Sequence, residues 1–101
     1  MWLQLPAIED ITVVSEMGAQ WSPKSDPLST AAMVRGTSPK HNGWDKGVIS
    51  TLKHFVAYGI PEGGHNGNPS QVGERDLHEN FLPAFKSAID AGALSVMTSY
   101  N

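Results

Sequence analysis

The order of patterns between residues 47 and 100 is the feature that most constrains the fold of this chain. Residues 47–56 form a β-branched run of the kind found in buried strands. A stretch rich in Gly, Pro and Asn follows at 59–73, and a helical pattern then covers about 74–91. Residues 93–100 predict a second strand. Because two strands joined through a helix are normally parallel, this order predicts an α/β fold.

The helical pattern carries one apolar stripe, which we expect to face the core. Its members recur at intervals of three, four or seven residues: Leu77, Phe81, Phe85, Ala88 and Ile89. Pro83 should either kink this helix or start a second one, and Gly92 suits its end.

The region upstream is less regular. Ser25-Asp26-Pro27 is typical of a helix start, and Gly36 suits the end of that helix. A polar connector is expected at 37–47. Residues 1–24 stay unassigned, although Ile8, Ile11, Val13 and Val14 could form a strand or one turn of a helix.

Two parallel strands cannot close a sheet, so the chain is expected to be part of a larger repeating fold. The loop after the first strand has about 14 residues, which is longer than usual for a connection of this kind. Long loops at the carboxyl ends of strands build the active sites of (β/α)₈ (TIM) barrels. In a barrel of this kind, Lys53-His54 at the end of one strand and Tyr100 at the end of the next would lie on a common rim.

Composition narrows the possible partners. The net charge is −3 and the basic residues are scattered, so no footprint for nucleic acid is visible. No stretch approaches the ~20 apolar residues of a membrane span.

The chain has no cysteine and lacks a His-x-x-x-His pair and both phosphate-loop motifs. We expect no metal or organic cofactor. No signal peptide is recognisable in residues 1–6, which leaves localisation open.

Residues 48–101 resemble the N-terminal barrel of the family 3 glycoside hydrolases, of β-glucosidase type. The resemblance rests on the order and spacing of short sequence motifs at 53–59, 61–64, 73–77, 81–86, 90–92 and 95–101, with a weaker motif at 26–36. It implies that residues 25–101 are part of this domain.

The resemblance also implies roles for individual residues. Lys53 and His54 would hydrogen-bond hydroxyls of the sugar in the −1 subsite. Tyr100 would stand near the nucleophile, and Met97 would line the same pocket. His65 occupies a position where close relatives often carry another basic residue. Whether this chain supplies a third sugar contact is therefore left open.

The implied activity is retaining hydrolysis of terminal non-reducing β-D-glucosyl residues, with a β-linked glucoside or short oligosaccharide as substrate. The nucleophilic aspartate is expected beyond Asn101 and the acid/base residue in a later domain. The chain is accordingly expected to be a fragment that is inactive alone.

Three alternatives remain open at this point. The same scaffold could act on β-xylosides. Lys53 at a barrel strand end could instead form a Schiff base in a lyase. The chain could also be a non-catalytic sugar-binding or degenerate fragment.

Overall fold

The computed structural model describes residues 12–14, 20–21 and 26–101, with side chains from residue 26 onward. Its elements in chain order are β1 Thr12–Val14, β2 Gln20–Trp21, α1 Pro27–Thr37, α2 Pro39–Asn42, β3 Thr51–Phe55, a 3₁₀ turn Glu62–Gly64, α3 Glu74–Asp76, a π-helical turn Leu77–Phe81, α4 Leu82–Asp90 and β4 Ser95–Thr98. The fold is α/β, as the sequence predicts. No helix within the described residues is both long enough and apolar enough to cross a bilayer.

The strands form one mixed sheet in the order β2-β1-β3-β4. β3 and β4 are parallel, with Thr51 opposite Ser95, which confirms the predicted pairing. β1 runs antiparallel to both β2 and β3. Val13 and Val14 therefore lie in a strand, one of the two possibilities left open. The predictions that fall on residues 1–11 and 22–25 lie outside the described residues.

Helix α1 begins where the sequence predicts. Asp26 caps it, since its carboxylate accepts hydrogen bonds from the backbone N–H groups of Leu28 and Ser29, both at 3.2 Å, and from the Ser29 hydroxyl at 2.6 Å. These three bonds, led by the one from the Ser29 hydroxyl, lower the pKa of Asp26.

The predicted end of α1 at Gly36 is wrong. The helix continues to Thr37, and Ser38 then adopts an extended conformation. The Ser38 hydroxyl accepts a hydrogen bond from the Lys40 backbone N–H at 3.1 Å, so the same residue also caps the short helix α2. A local side-chain cap thus creates a helix inside the expected polar connector.

The core lies between the sheet and the pair of helices α1 and α4. Small side chains let the two helices approach closely, and Leu52 of β3 packs beneath them with no exposed surface. The buried cluster consists of Ala31, Val34, Leu52, Ala84, Phe85, Ala88, Ala91 and Ala93. This cluster fixes both helices on one side of the sheet.

Pro83 lies in the first turn of α4, and the chain immediately before it forms the π-helical turn Leu77–Phe81. Proline has no N–H, and its ring crowds the carbonyl four residues earlier, which here belongs to Glu79. The wider π turn, in which the Leu82 N–H donates to the Leu77 carbonyl, accommodates that ring. Of the two predicted alternatives, a kink or a second helix, the structure shows a change of helix geometry: α4 begins at Leu82, directly after the π turn and without a break in the helical chain.

The apolar stripe is confirmed in part. Phe81, Phe85 and Ala88 are buried and Leu77 is half-buried. The prediction for Ile89 is wrong, because 51% of its surface is exposed. The buried face of α4 is centred on the small residues that contact α1, and Ile89 lies at its border, one position after Ala88.

Gly92 ends the helical segment in a Schellman motif. Its φ is 115°, its own N–H donates to the Ile89 carbonyl at 3.0 Å, and the Ala93 N–H donates to the Ala88 carbonyl at 3.0 Å. The buried Ser38 hydroxyl donates to the Gly92 carbonyl at 3.2 Å. A Cβ at Gly92 would lie 2.7 Å from that hydroxyl oxygen, so this position needs glycine for both conformation and space.

We expect Gly92→Ala to destabilise the chain and Gly36→Ala to stabilise it. The first substitution forces a Cβ into a left-handed position against Ser38. The second places alanine inside α1, with open space around the new Cβ, and should add about 0.4–1 kcal/mol to the free energy of unfolding. Urea unfolding followed by circular dichroism measures both changes. Equal effects of the two substitutions would contradict the assignment of Gly92 as the helix-ending glycine.

We expect Phe85→Ala to lower the free energy of unfolding by about 3–5 kcal/mol, because it opens a cavity at a side chain that is only 2% exposed. Ile89→Ala on the same helix should cost no more than about 1 kcal/mol, because half of Ile89 already faces solvent. The same unfolding measurement separates them. A comparable loss of unfolding free energy in Ile89→Ala would show that Ile89 belongs to the buried stripe, as the sequence predicts.

Candidate functional site

The candidate site lies at the carboxyl ends of β3 and β4. Between the pairs Leu52–Val96 and Phe55–Thr98, β3 advances three residues while β4 advances two. The extra residue makes a β-bulge at Lys53-His54. Bulges bend a strand locally and redirect its side chains, and they are frequent beside active sites.

His54 is the centre of an aromatic cluster at this edge. Its ring centroid lies 4.3 Å from that of Tyr58 and 6.4 Å from that of Tyr100. Tyr58 follows β3 and Tyr100 follows β4, so the cluster joins the ends of both strands. The hydroxyl of Tyr58 in turn donates a short hydrogen bond to Oδ1 of Asn66 in the long loop.

The sequence-predicted site residues differ in exposure. Lys53 and His54 are half-buried, whereas Tyr100 has 83% of its surface exposed. Met97 lies on β4, three residues before Tyr100, and is 46% exposed. The structure therefore brings Lys53, His54 and Tyr100 to one edge, while the ring cluster itself does not include Met97.

Partial burial lowers the pKa of His54, and the positive charge of the adjacent Lys53 lowers it further. His54 is accordingly neutral at neutral pH. A neutral imidazole donates a hydrogen bond from one nitrogen and accepts one at the other, whereas the Lys53 ammonium only donates. Together they match a ligand that carries several hydroxyl groups.

The loop at 56–73 is held by its own polar groups. Glu62 Oε1 accepts a hydrogen bond from Gln71 Nε2 at 2.8 Å, and the Glu62 carbonyl accepts one from Asn68 Nδ2 at 3.2 Å. Asp76 instead accepts a hydrogen bond from Asn80 one helical turn later. Glu62 therefore has a structural role in the loop, and the contact of Asp76 lies within its own helical segment.

A separate groove of about 390 Å³ lies on the helical side of the molecule, lined mainly by α1 and α4 and including Leu28, Arg35 and Asp90. None of Lys53, His54 or Tyr100 lines it. Among residues 12–14, 20–21 and 26–101, no three His, Asp or Glu side chains lie close enough to hold a metal ion.

Sequence reasoning missed Tyr58 and Asn66 as members of this site. Tyr58 was within reach, because it lies four residues after His54 in the same motif. Nothing in the sequence placed Asn66 against it, since that contact depends on how the long loop folds back.

Comparison with known proteins gives consistent matches. Residues 14–101 match the glycosyl hydrolase family 3 N terminal domain. The chain is 33% identical over 69 residues to a periplasmic beta-glucosidase of Salmonella typhimurium, covering 68% of this chain and 9% of that protein. It is 46% identical over 54 residues to a beta-xylosidase of Formosa agariphila, covering 52% of this chain and 8% of that protein.

A solved structure matches as well. The beta-glucosidase of Listeria innocua in complex with gluconolactone superposes with a TM-score of 0.65 and 38% sequence identity, over 74% of this chain and 11% of that protein. The chain thus spans about a tenth of the length of the relatives that it matches. With the family match covering most of its residues, the chain belongs to glycosyl hydrolase family 3, within the N-terminal domain of that family.

Proposed function

We propose that residues 25–101 form part of the (β/α)₈ barrel of a retaining β-glucosidase, and that the ends of β3 and β4 supply part of its sugar subsite. The observation that carries this proposal is the convergence of Lys53-His54 and Tyr100 at one sheet edge, with the His54 and Tyr100 rings 6.4 Å apart. The parallel pairing of β3 and β4 and the long loop after β3 support the barrel assignment.

The proposed subsite binds a terminal β-D-glucosyl unit through complementary hydrogen bonds. Lys53 donates to sugar hydroxyls, and neutral His54 both donates and accepts. Hydrogen bonds that strengthen at the 2-hydroxyl in an oxocarbenium-like transition state contribute to the rate as well as to binding. Tyr100 supports the nucleophilic carboxylate, and Met97 lines the pocket.

The proposed reaction uses two carboxylates and water. One carboxylate attacks the anomeric carbon while the glycosidic C–O bond breaks, and the other carboxylic acid protonates the departing oxygen. The second residue then removes a proton from the water that hydrolyses the glycosyl-enzyme. Neither carboxylate is assigned to residues 26–101, so the chain by itself should bind sugar without turning it over.

β-Xylosidase activity is the second candidate, and the match to the Formosa agariphila beta-xylosidase favours keeping it. Xylose lacks the hydroxymethyl group of glucose, so contacts around that group decide between the two. Membership of a glycosyl hydrolase family favours hydrolysis over the Schiff-base chemistry that the position of Lys53 left open.

In the longest natural reading frame that contains this chain, Lys53→Met should lower kcat/KM for 4-nitrophenyl β-D-glucoside by about 10- to 100-fold. This corresponds to the loss of a charged hydrogen bond of about 1.5–3 kcal/mol. Lys46→Met is the matched control, because Lys46 is an exposed lysine in a turn between α2 and β3. The rate on the corresponding β-xyloside separates the two candidate activities. Unchanged kcat/KM in Lys53→Met would remove this residue from the proposed subsite.

The pKa of His54 should lie below the ordinary histidine value of about 6.5. Lys53→Met should raise that pKa part of the way, because the charge is removed while the burial remains. NMR titration of the histidine ring signals measures both values, with Lys46→Met as the control. A His54 pKa at or above the ordinary value would contradict the burial described here.

The same lowered pKa sets a pH dependence. Between the folded and ordinary pKa values of His54 the unfolded chain binds more protons, so stability rises with pH across that window and is lost on acidification. Gluconolactone affinity should fall in the same direction, because protonated His54 can no longer accept a hydrogen bond. Calorimetric titration at a series of pH values tests this.

A further inference from the structure

The backbone between His54 and Tyr58 changes direction sharply. Ala57 has φ of 59°, a left-handed conformation that residues other than glycine rarely adopt. Its surface is only 3% exposed. Such a conformation persists only where the surrounding contacts hold it.

Donors from the end of β4 hold the first part of this segment. The Ser99 backbone N–H donates to the Phe55 carbonyl at 2.7 Å, one step beyond the strand pairing. The side-chain amide of Asn101 then donates from Nδ2 to the Val56 carbonyl at 3.2 Å. The carbonyls of two consecutive residues are thus bound by Ser99 and Asn101, which both follow β4.

A donor from the long loop holds the next carbonyl. The Ser70 hydroxyl donates to the Ala57 carbonyl at 2.7 Å, and the Asn101 Nδ2 donates to the Ser70 oxygen at 3.1 Å. Asn101 therefore bridges the segment after β3 and the loop at 56–73. An amide nitrogen suits this place because it carries two donor hydrogens.

We propose that Asn101, acting together with Ser70, is a positioning residue that holds the His54–Tyr58 ring pair in place at the strand ends. The inference rests on the proposed function in so far as that ring pair belongs to a sugar subsite. Asn101 itself contacts the backbone of Val56 and the side chain of Ser70. It therefore acts through the segment that carries the two rings, with no role in the chemistry assigned to it.

The test compares isosteric amide-to-carboxylate changes in the full chain. Asn101→Asp keeps the side-chain shape but removes both donated hydrogen bonds. Asn68→Asp is the matched control, since Asn68 also lies in an exposed position and donates one bond, to the Glu62 carbonyl within the same loop. Ser70→Ala removes the link from the loop side, and Ser70→Thr restores a hydroxyl there.

Three readouts are recorded for each variant: nuclear Overhauser contacts between the His54 and Tyr58 rings, the pKa of His54, and the affinity for gluconolactone. Asn101→Asp and Ser70→Ala should lose the ring contacts, raise the pKa of His54 towards its ordinary value, and weaken gluconolactone binding about tenfold. Asn68→Asp and Ser70→Thr should retain all three. A thermal melt of each variant identifies any that is unfolded. Should Asn101→Asp be unfolded, Ser70→Ala decides.

The proposal is overturned if Asn101→Asp keeps the ring contacts and the His54 pKa, or if Asn68→Asp alters them equally. If the wild-type chain does not bind gluconolactone, the proposed sugar subsite fails for this chain. The ring contacts and the pKa of His54 still decide the positioning role in that case, so the two failures are distinguishable.

Discussion

The parallel pairing of β3 with β4 is the interaction on which the rest of the structure depends. It places the ends of two strands, Phe55 and Thr98, on the same edge of the sheet, where they form the last ladder pair although they are far apart in sequence. Because β3 carries one extra residue, the pairing also creates the bulge at Lys53-His54. Hydrogen bonds beyond the ladder, from Ser99 and Asn101, extend the same strand-to-strand connection into the candidate site.

The helical layer makes that pairing possible by covering one face of the sheet. Alanines on α1 and α4 let the helices lie close together over Leu52, which has no exposed surface. The buried Ser38 and Ser50 hydroxyls are both satisfied, by the Gly92 carbonyl at 3.2 Å and the Thr37 hydroxyl at 2.9 Å respectively. Packing thus dominates between the helices and the sheet, whereas Lys53, His54 and Tyr100 lie at the strand ends.

Sequence patterns predicted elements well where local physics decides them. The cap at Asp26, the change of helix geometry at Pro83 and the end at Gly92 follow from side-chain hydrogen bonding, ring geometry and a left-handed φ, respectively. Predictions were less reliable where the outcome depends on packing against residues that are distant in sequence. Gly36 lies inside α1 because no left-handed turn is required there, and Ile89 is exposed because contact with α1 centres the buried face of α4 elsewhere.

The sequence by itself determined the α/β order, the family and the presence of Lys53, His54 and Tyr100 at two strand ends. Those features depend on local conformational propensity and on the order of short motifs, both of which are visible in the amino-acid sequence. Only the tertiary structure decided the bulge register, the contact of His54 with Tyr58, and the bridge made by Asn101 to Val56 and Ser70. These depend on which backbone groups remain unpaired once two strands and a long loop meet, and no periodicity in the sequence records that outcome.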